Sequence, residues 1–445
     1  MKRQAATSKG LKKRLHDLQL NKVNDPRLQK KIIHPLYTIL SSLVISMVTR
    51  ARSLRNVEMR TAQIKPEEKI CIALDGRIAD NTFGNIIQRL NGEDLIGSLQ
   101  GMVKAEIRRG NLQPTALRTN TIAIDGKNVA VLRWHDLLRV LKLKHEEASI
   151  EDVRSMLEEK YPHLQLCVPD NGLPYALARV HTVTLISSDA ALCIHQRPIE
   201  GHTNEIGAMP ALLEELKQSY GRTSLIDIVT TDSGNTSLAT AGIIADNKWN
   251  YFSQIKSEKG KIYNEAVSSL GWQDEAEAES IFEDRQKGQN IIYHLWRESL
   301  SSQGCYDWTH ARQLIRIQRT VEDLKTGEVT IGNRYYVTNK KANELRAKGC
   351  LKVSRAHWRC ENETHWTADA EMQEDQRRLA WSRHPIGVFV VSLLKRIAVN
   401  ILALARKLSR IPYSKETPSW HQVVEHFQMA MLQSILDTER FDTGI

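Results

Sequence analysis

"TIAIDGKNVAVL", residues 121–132, alternates β-branched and small apolar residues on both sides of an Asp-Gly pair, and two readings of that pair compete. Asp-Gly between apolar runs is a strong hairpin signal, which makes Asp125 a turn residue. The alternative puts Asp125 at a strand end, its carboxylate free for chemistry. The choice rests on what else the chain brings to the ends of its strands.

Two further stretches share the texture: "HTVTLISSDAALCIHQ" at 181–196 and "LIDIVTTDSG" at 225–234 are rich in β-branched residues and bounded by turn formers. Between them "MPALLEELKQSYG" reads as a helix closed by glycine. After the third, "NTSLATAGIIADNKW" reads as another, with polar capping residues at its start. Strands and helices in alternation predict a mixed α/β core. Asp232 then falls near the C-terminal end of a strand, where open α/β sheets place ligand chemistry; a loop or helix cap is the bland alternative.

Working outward, residues 32–116 carry apolar positions at helical spacing, as in "HPLYTILSSLVISMVTRARSLRNVEMRTA", and predict an α-helical N-terminal domain. Residues 133–178, with "SIEDVRSMLEEKYP", predict a helical insertion. Residues 261–340, with "QLIRIQRTVED", a "KTGE" turn and "VTIGNRYYVTN", predict a β-rich insertion before the last helices. The core is then 117–260 plus 341–410, and 411–445 a helical tail.

The 445 residues are 41% hydrophobic and 26% charged, as expected of a globular chain with two or three domains. Residues 1–31 hold ten Lys or Arg against two Asp, most of the net charge of +10. They predict a mobile basic arm for a polyanionic partner. Six cysteines without a CxxC pair suit reduced thiols and exclude a zinc ribbon. No apolar run backs the opening charges, and the apolar stretches fail as membrane spans: 36–48 is short, and 386–405 has Lys395 and Arg396 at its centre. A soluble, cytoplasmic protein is expected.

"HWRCENETHW", residues 357–366, wound as an α-helix aligns His357, Glu361, His365 and Asp369 in one stripe, with Trp358 and Trp366 beside it. Such a stripe fits a half-exposed helix, a zinc site, or one acid of a set assembled from distant segments. Two aspartates on strand ends and a glutamate on a later helix is how a ribonuclease H-like fold assembles a metal site. Hard carboxylate oxygens suit Mg²⁺ or Mn²⁺, and two such ions about 3.5 to 4 Å apart serve phosphodiester displacement.

Taken in order, these segments resemble bacterial insertion-sequence transposases of the DDE class, close to the H-repeat-associated group. "NDPRLQKKIIHPLYTIL" with "ARSLRNVE" is similar to that group's N-terminal domain, and "IAIDGK" to its first catalytic strand. "HTVTLIS", "TNEIGAMPALLEEL", "VTTDSGNTSLATAGII" and "YFSQIKSEKG" follow collinearly, then "HWRCENETHWTADAEMQEDQRR" and the cover helix "LKRIAVNILALARK". The resemblance implies a ribonuclease H-like core and a catalytic, metal-holding triad of Asp125, Asp232 and Glu361, with Glu363 and Asp369 as rivals for the third place. It implies two Mg²⁺ or Mn²⁺ ions, DNA as partner, strand transfer at terminal inverted repeats, and a homo-oligomer on DNA. Lys127, Lys256, Arg355 and Arg359 are expected to contact phosphates, and His357 and His365 to neighbour the metal or DNA. An inactive DNA-binding descendant and a plain metal-dependent nuclease are the alternatives.

Overall fold

The computed structural model describes residues 8–62, 76–144, 148–286, 288–374, 385–408 and 417–442. In it β1 (Thr121–Arg133) runs straight through the Asp-Gly pair. Following β2 (Leu164–Cys167), β3 (Tyr175–Leu185) lies antiparallel to β1, with Asp125 opposite Thr182 and Gly126 opposite His181. Asp125 is therefore neither in a turn nor at a strand end. Apolar residues alternate on both sides of the pair, so the ladder continues past it, and the register slips only between Asn128 and Ala130.

β4 (Leu192–Pro198) pairs with the far side of β3, while β5 (Ile228–Thr231) and β6 (Asn250–Ile255) run parallel to β1. The expected β-rich insertion is no separate body. β7 (Ser280–Gln286), β8 (Gln289–Ser299), β9 (Gln313–Asp323) and β10 (Val329–Thr338) extend the same sheet, because β10 pairs antiparallel with β6 and covers what would be an open edge. The path is β2-β3-β1-β5-β6-β10-β9-β8-β7, with β4 on β3, and the result is the expected mixed α/β architecture with a central mixed sheet.

The helices fall into three groups. α1 (Ser8–Asp17), α2 (Leu36–Val48), α3 (Leu54–Ala62), α4 (Asp80–Ile87) and α5 (Gly92–Arg108) form the N-terminal helical body. α6 (Trp134–Leu141) and α7 (Ile150–Lys160) supply the expected helical insertion, but its flanks belong to the sheet, since β1 ends at Arg133 and β2 pairs with β3. α8 (Glu205–Tyr220), α9 (Leu238–Asp246) and α10 (Lys261–Leu270) follow their strands, and α11 (Ala347–His357) and α12 (Trp366–Met372) flank a π turn at Cys360–His365. α13 (Pro385–Leu408) and α14 (Trp420–Asp442) close the chain.

Pleating sorts the core. Ile122 and Ile124 pack with Val183, Leu212, Val229 and Tyr251 on one face, and Ala123 with Ile228, Phe252 and Leu351 on the other. α13 is the one described helix long and apolar enough to cross a membrane, yet 94% of its apolar window is buried within the protein. Its Ile397, Leu402 and Ala405 pack with α1, α2, α5 and α14. The expectation of a mobile arm fails for residues 8–23: Leu11, Leu15, Leu18 and Leu20 are almost wholly buried, and Asp17 pairs with Arg109. Leucines at helical spacing dock α1 despite its charge, each worth roughly 2 kcal/mol of burial.

Candidate active site

The last paired rung between β1 and β5 is Ile124 with Thr231, so Asp125 and Asp232 are the next residues on adjacent strands. Strand spacing of roughly 4.8 Å makes their carboxylates neighbours across more than a hundred residues of sequence. Asp232 is oriented by Asn235, whose backbone N–H and side-chain amide both donate to Oδ1, at 3.0 and 2.9 Å. The helix-cap reading of Asp232 is thus partly right, since it does close the turn leading into α9.

Glu361 comes from the opposite direction, in the π turn between α11 and α12. The sequence expectation was a plain α-helix there. Widening one turn changes which residues face inward, and π turns recur at functional sites for that reason. His357 is buried with Nδ1 2.9 Å from Thr230 Oγ1, and His365 with Nε2 2.8 Å from Thr182 Oγ1 and Nδ1 3.4 Å from Asp125 Oδ2. Trp366 is exposed, and Trp358 lies under the Arg334 guanidinium.

The electrostatics separate this cluster from its surroundings. Burial, then the charges of Glu361, Asp232 and Glu205, push the Asp125 carboxyl up to about 7. Glu361 is raised by partial burial and Asp232, although Arg334 opposes the shift. Burial holds His357 down at about 4 and His365 well below its ordinary range, so neither imidazole brings a positive charge at neutral pH. Among the described residues no Lys or Arg side chain pairs with Asp125, Asp232, Glu205 or Glu361.

Glu205 is the residue that sequence reasoning missed. It stands at the start of α8, after the capping Asn204, where an acid also suits the helix dipole. Its Oε2 accepts from Asn235 Nδ2 at 3.2 Å, the amide that also holds Asp232.

The other expected residues divide cleanly. Glu363 is paired with Arg359 through two hydrogen bonds at 2.6 and 3.0 Å, and Asp369 with Lys127 at 2.8 Å, so both rivals are occupied. Three of the four expected phosphate contacts are also committed. Lys127 bridges Asp369 and Glu374; Arg355 pairs with Asp284 and stacks on Phe282 and Tyr293; Arg359 also donates to the Ser188 carbonyl. Lys256 alone stands exposed, just past β6.

Hard oxygen donors with no compensating cation suit Mg²⁺ or Mn²⁺ in chemistry. A second mark is the space at Gly126, where a Cβ would overlap the Glu205 carboxylate, so the strand is cut away beside Asp125. Yet among the described residues no three Asp, Glu, His or Cys side chains are already drawn round one point. The donors fit a divalent cation as an open set.

Residues 177–384 match the family model described as the transposase DDE domain. The match spans Glu205, Asp232 and Glu361 and begins after Asp125. A transposase of Escherichia coli O157:H7, provisionally so named and called YncI, is 26% identical over 236 residues, which are 50% of this chain and 56% of the relative. YhhI of E. coli K12, named with the same reserve as an H repeat-associated transposase, is 24% identical over 233 residues, 50% of this chain and 58% of its own. The matches thus cover less than three-fifths of those relatives. A piggyBac transposase in a synaptic complex with hairpin DNA superposes loosely, with a TM-score of 0.42 and 8% identity over 99% of this chain and 79% of its own. The resemblance read from the sequence stands: residues 177–384 match a transposase DDE domain, and half of the chain is similar to bacterial relatives that include an H repeat-associated protein.

Proposed function

We propose that this chain is a metal-dependent DNA transposase that cleaves at the terminal inverted repeats of an insertion sequence and joins the freed 3′ ends to target DNA. The observation that carries the reading is the convergence of uncompensated acids from two neighbouring strands and a π turn, in a chain matched by the transposase DDE domain. The path β4-β3-β1-β5-β6, three antiparallel strands followed by two parallel to β1, supports a ribonuclease H-like core.

In this reading Asp125, Asp232 and Glu361 hold two Mg²⁺ or Mn²⁺ ions. Bound there, the ions supply an activated attacking oxygen and a stabilised leaving oxygen. The chain's own residues do the positioning. Asn235 fixes the Asp232 carboxylate, and Thr182 and His365, hydrogen-bonded to each other, pack against Asp125 without adding a positive charge. Of the four expected phosphate contacts Lys256 is the one free to meet a phosphate, and the element's ends bring copies of the chain together on DNA, in the cytoplasm at the nucleoid.

Asp232→Asn tests the mechanism, since it removes a charge with almost no change of shape. Cleavage of element ends in Mg²⁺ should be lost while end binding persists, and cleavage at the wild-type rate would overturn the assignment. Joined donor and target product from the wild type supports a transposase. Cleavage without joining points to a nuclease, and binding without cleavage to an inactive descendant.

A further inference from the structure

We propose that Glu205 is a fourth metal-facing acid, and that Gly126 is a glycine in order to admit it. The inference rests on the reading of Asp125, Asp232 and Glu361 as metal-holding residues.

Gly126 carries the argument. It lies within a regular strand and is not among the glycines of positive φ, so its backbone does not demand glycine. What demands it is space, because a Cβ there would overlap the Glu205 carboxylate. Gly234, beside the second aspartate, also lacks positive φ; a Cβ there would crowd Asp232 Oδ2 at 3.2 Å and meet Glu205 Oε2 only in ordinary contact at 3.5 Å. Gly126 is thus the glycine that leaves room for the Glu205 carboxylate.

The hydrogen bonds agree. Asn235 Nδ2 is shared between Asp232 Oδ1 and Glu205 Oε2, while buried His181 holds Asn235 Oδ1 at 2.9 Å. The amide is locked so that its donor edge ties the two acids together. Burial and Asp232 raise the Glu205 carboxyl. Arg179, the one cation acting on it, gives its guanidinium to the Thr203 carbonyl instead of to the carboxylate. An acid placed only for the α8 dipole would need neither missing Cβ nor a shared amide. A half-buried carboxylate kept beside three others is what a bound divalent cation would stabilise.

The test is Mn²⁺ binding by the full-length protein, followed by electron paramagnetic resonance of free Mn²⁺ in wild type, Asp232→Asn, Glu205→Gln and Glu214→Gln, an exposed acid on the same helix. Glu205→Gln should weaken Mn²⁺ binding about tenfold or more and raise the melting temperature of the metal-free protein, whereas a structural acid would lower it on removal. Glu214→Gln should match wild type. Wild-type affinity in Glu205→Gln, with affinity lost in Asp232→Asn, overturns the role of Glu205 and leaves the site standing. No Mn²⁺ binding by wild type, with or without duplex DNA, overturns both. Should Glu205→Gln fail to fold, Gly126→Ala decides: it keeps every charge but displaces the Glu205 carboxylate, so weaker Mn²⁺ binding supports the proposal and wild-type affinity rejects it.

Discussion

On one side of Gly126, Asp125 faces Asp232, Glu205 and Glu361, and none of the four is paired with a Lys or Arg among the described residues. On the other side, Lys127 reaches Asp369 at 2.8 Å and Glu374 at 3.0 Å, and fully buried Arg396 completes the group through Glu374. Burial alone would raise the Glu374 carboxyl, but Arg396, Lys127 and Lys395 together hold it down at about 2. Asp125, two residues from Lys127 in sequence, is pushed the other way, to about 7. Burial does not explain the difference, since Glu374 is the more deeply buried of the two and burial alone would raise it further. Compensation does: a buried group matched by its own chain is architecture, and one left unmatched awaits something from outside.

Breaking the compensated cluster should have the largest effect. Glu374→Gln leaves Arg396 buried without its partner and should destabilise the protein by about 3–5 kcal/mol in chemical denaturation. The sign with pH follows. Because Glu374 is depressed in the fold, its contribution is present above its ordinary value of 4.5 and disappears as pH falls toward 2. Loss of less than about 1 kcal/mol would mean that the cluster is not structural.

The uncompensated side should respond with the opposite sign. Asp125→Asn should raise the stability of the metal-free protein by roughly 1–2 kcal/mol at pH 8, since it removes a charge that burial and three acids oppose. A decrease would erase the contrast between the clusters. A weaker signature lies in the pH profile. Asp125 binds its proton more tightly folded than unfolded, so its contribution falls as pH rises from about 4 to about 7 and is level above. Asp125→Asn should remove that slope in urea denaturation between pH 4 and 8.

The smallest effect sharpens the comparison between two lysines. Lys256→Ala should lower the slope of log affinity for duplex DNA against log salt by about 0.9, the share of one phosphate. Lys127→Ala should cost stability and leave that slope unchanged. Equal slopes in both variants would remove Lys256 from the DNA surface.

Periodicity and composition made the mixed core, the helical body, the β-rich stretch and the collinear family motifs legible, because these are local properties. The sequence by itself determined that carboxylates at Asp125, Asp232 and Glu361 were available. Tertiary structure decided the rest, for reasons of space and partnership that no local window contains. A ladder with β3 turned a hairpin signal into the middle of a strand. Edge pairing on β6 made an insertion into sheet, and buried leucines made a basic arm into core. Glu205 resembled any helix-start acid until a missing Cβ on β1 showed where its carboxylate lies. Which charges find partners is fixed only when distant segments meet, and that pairing separates Lys127 from Lys256 and Asp369 from Glu361.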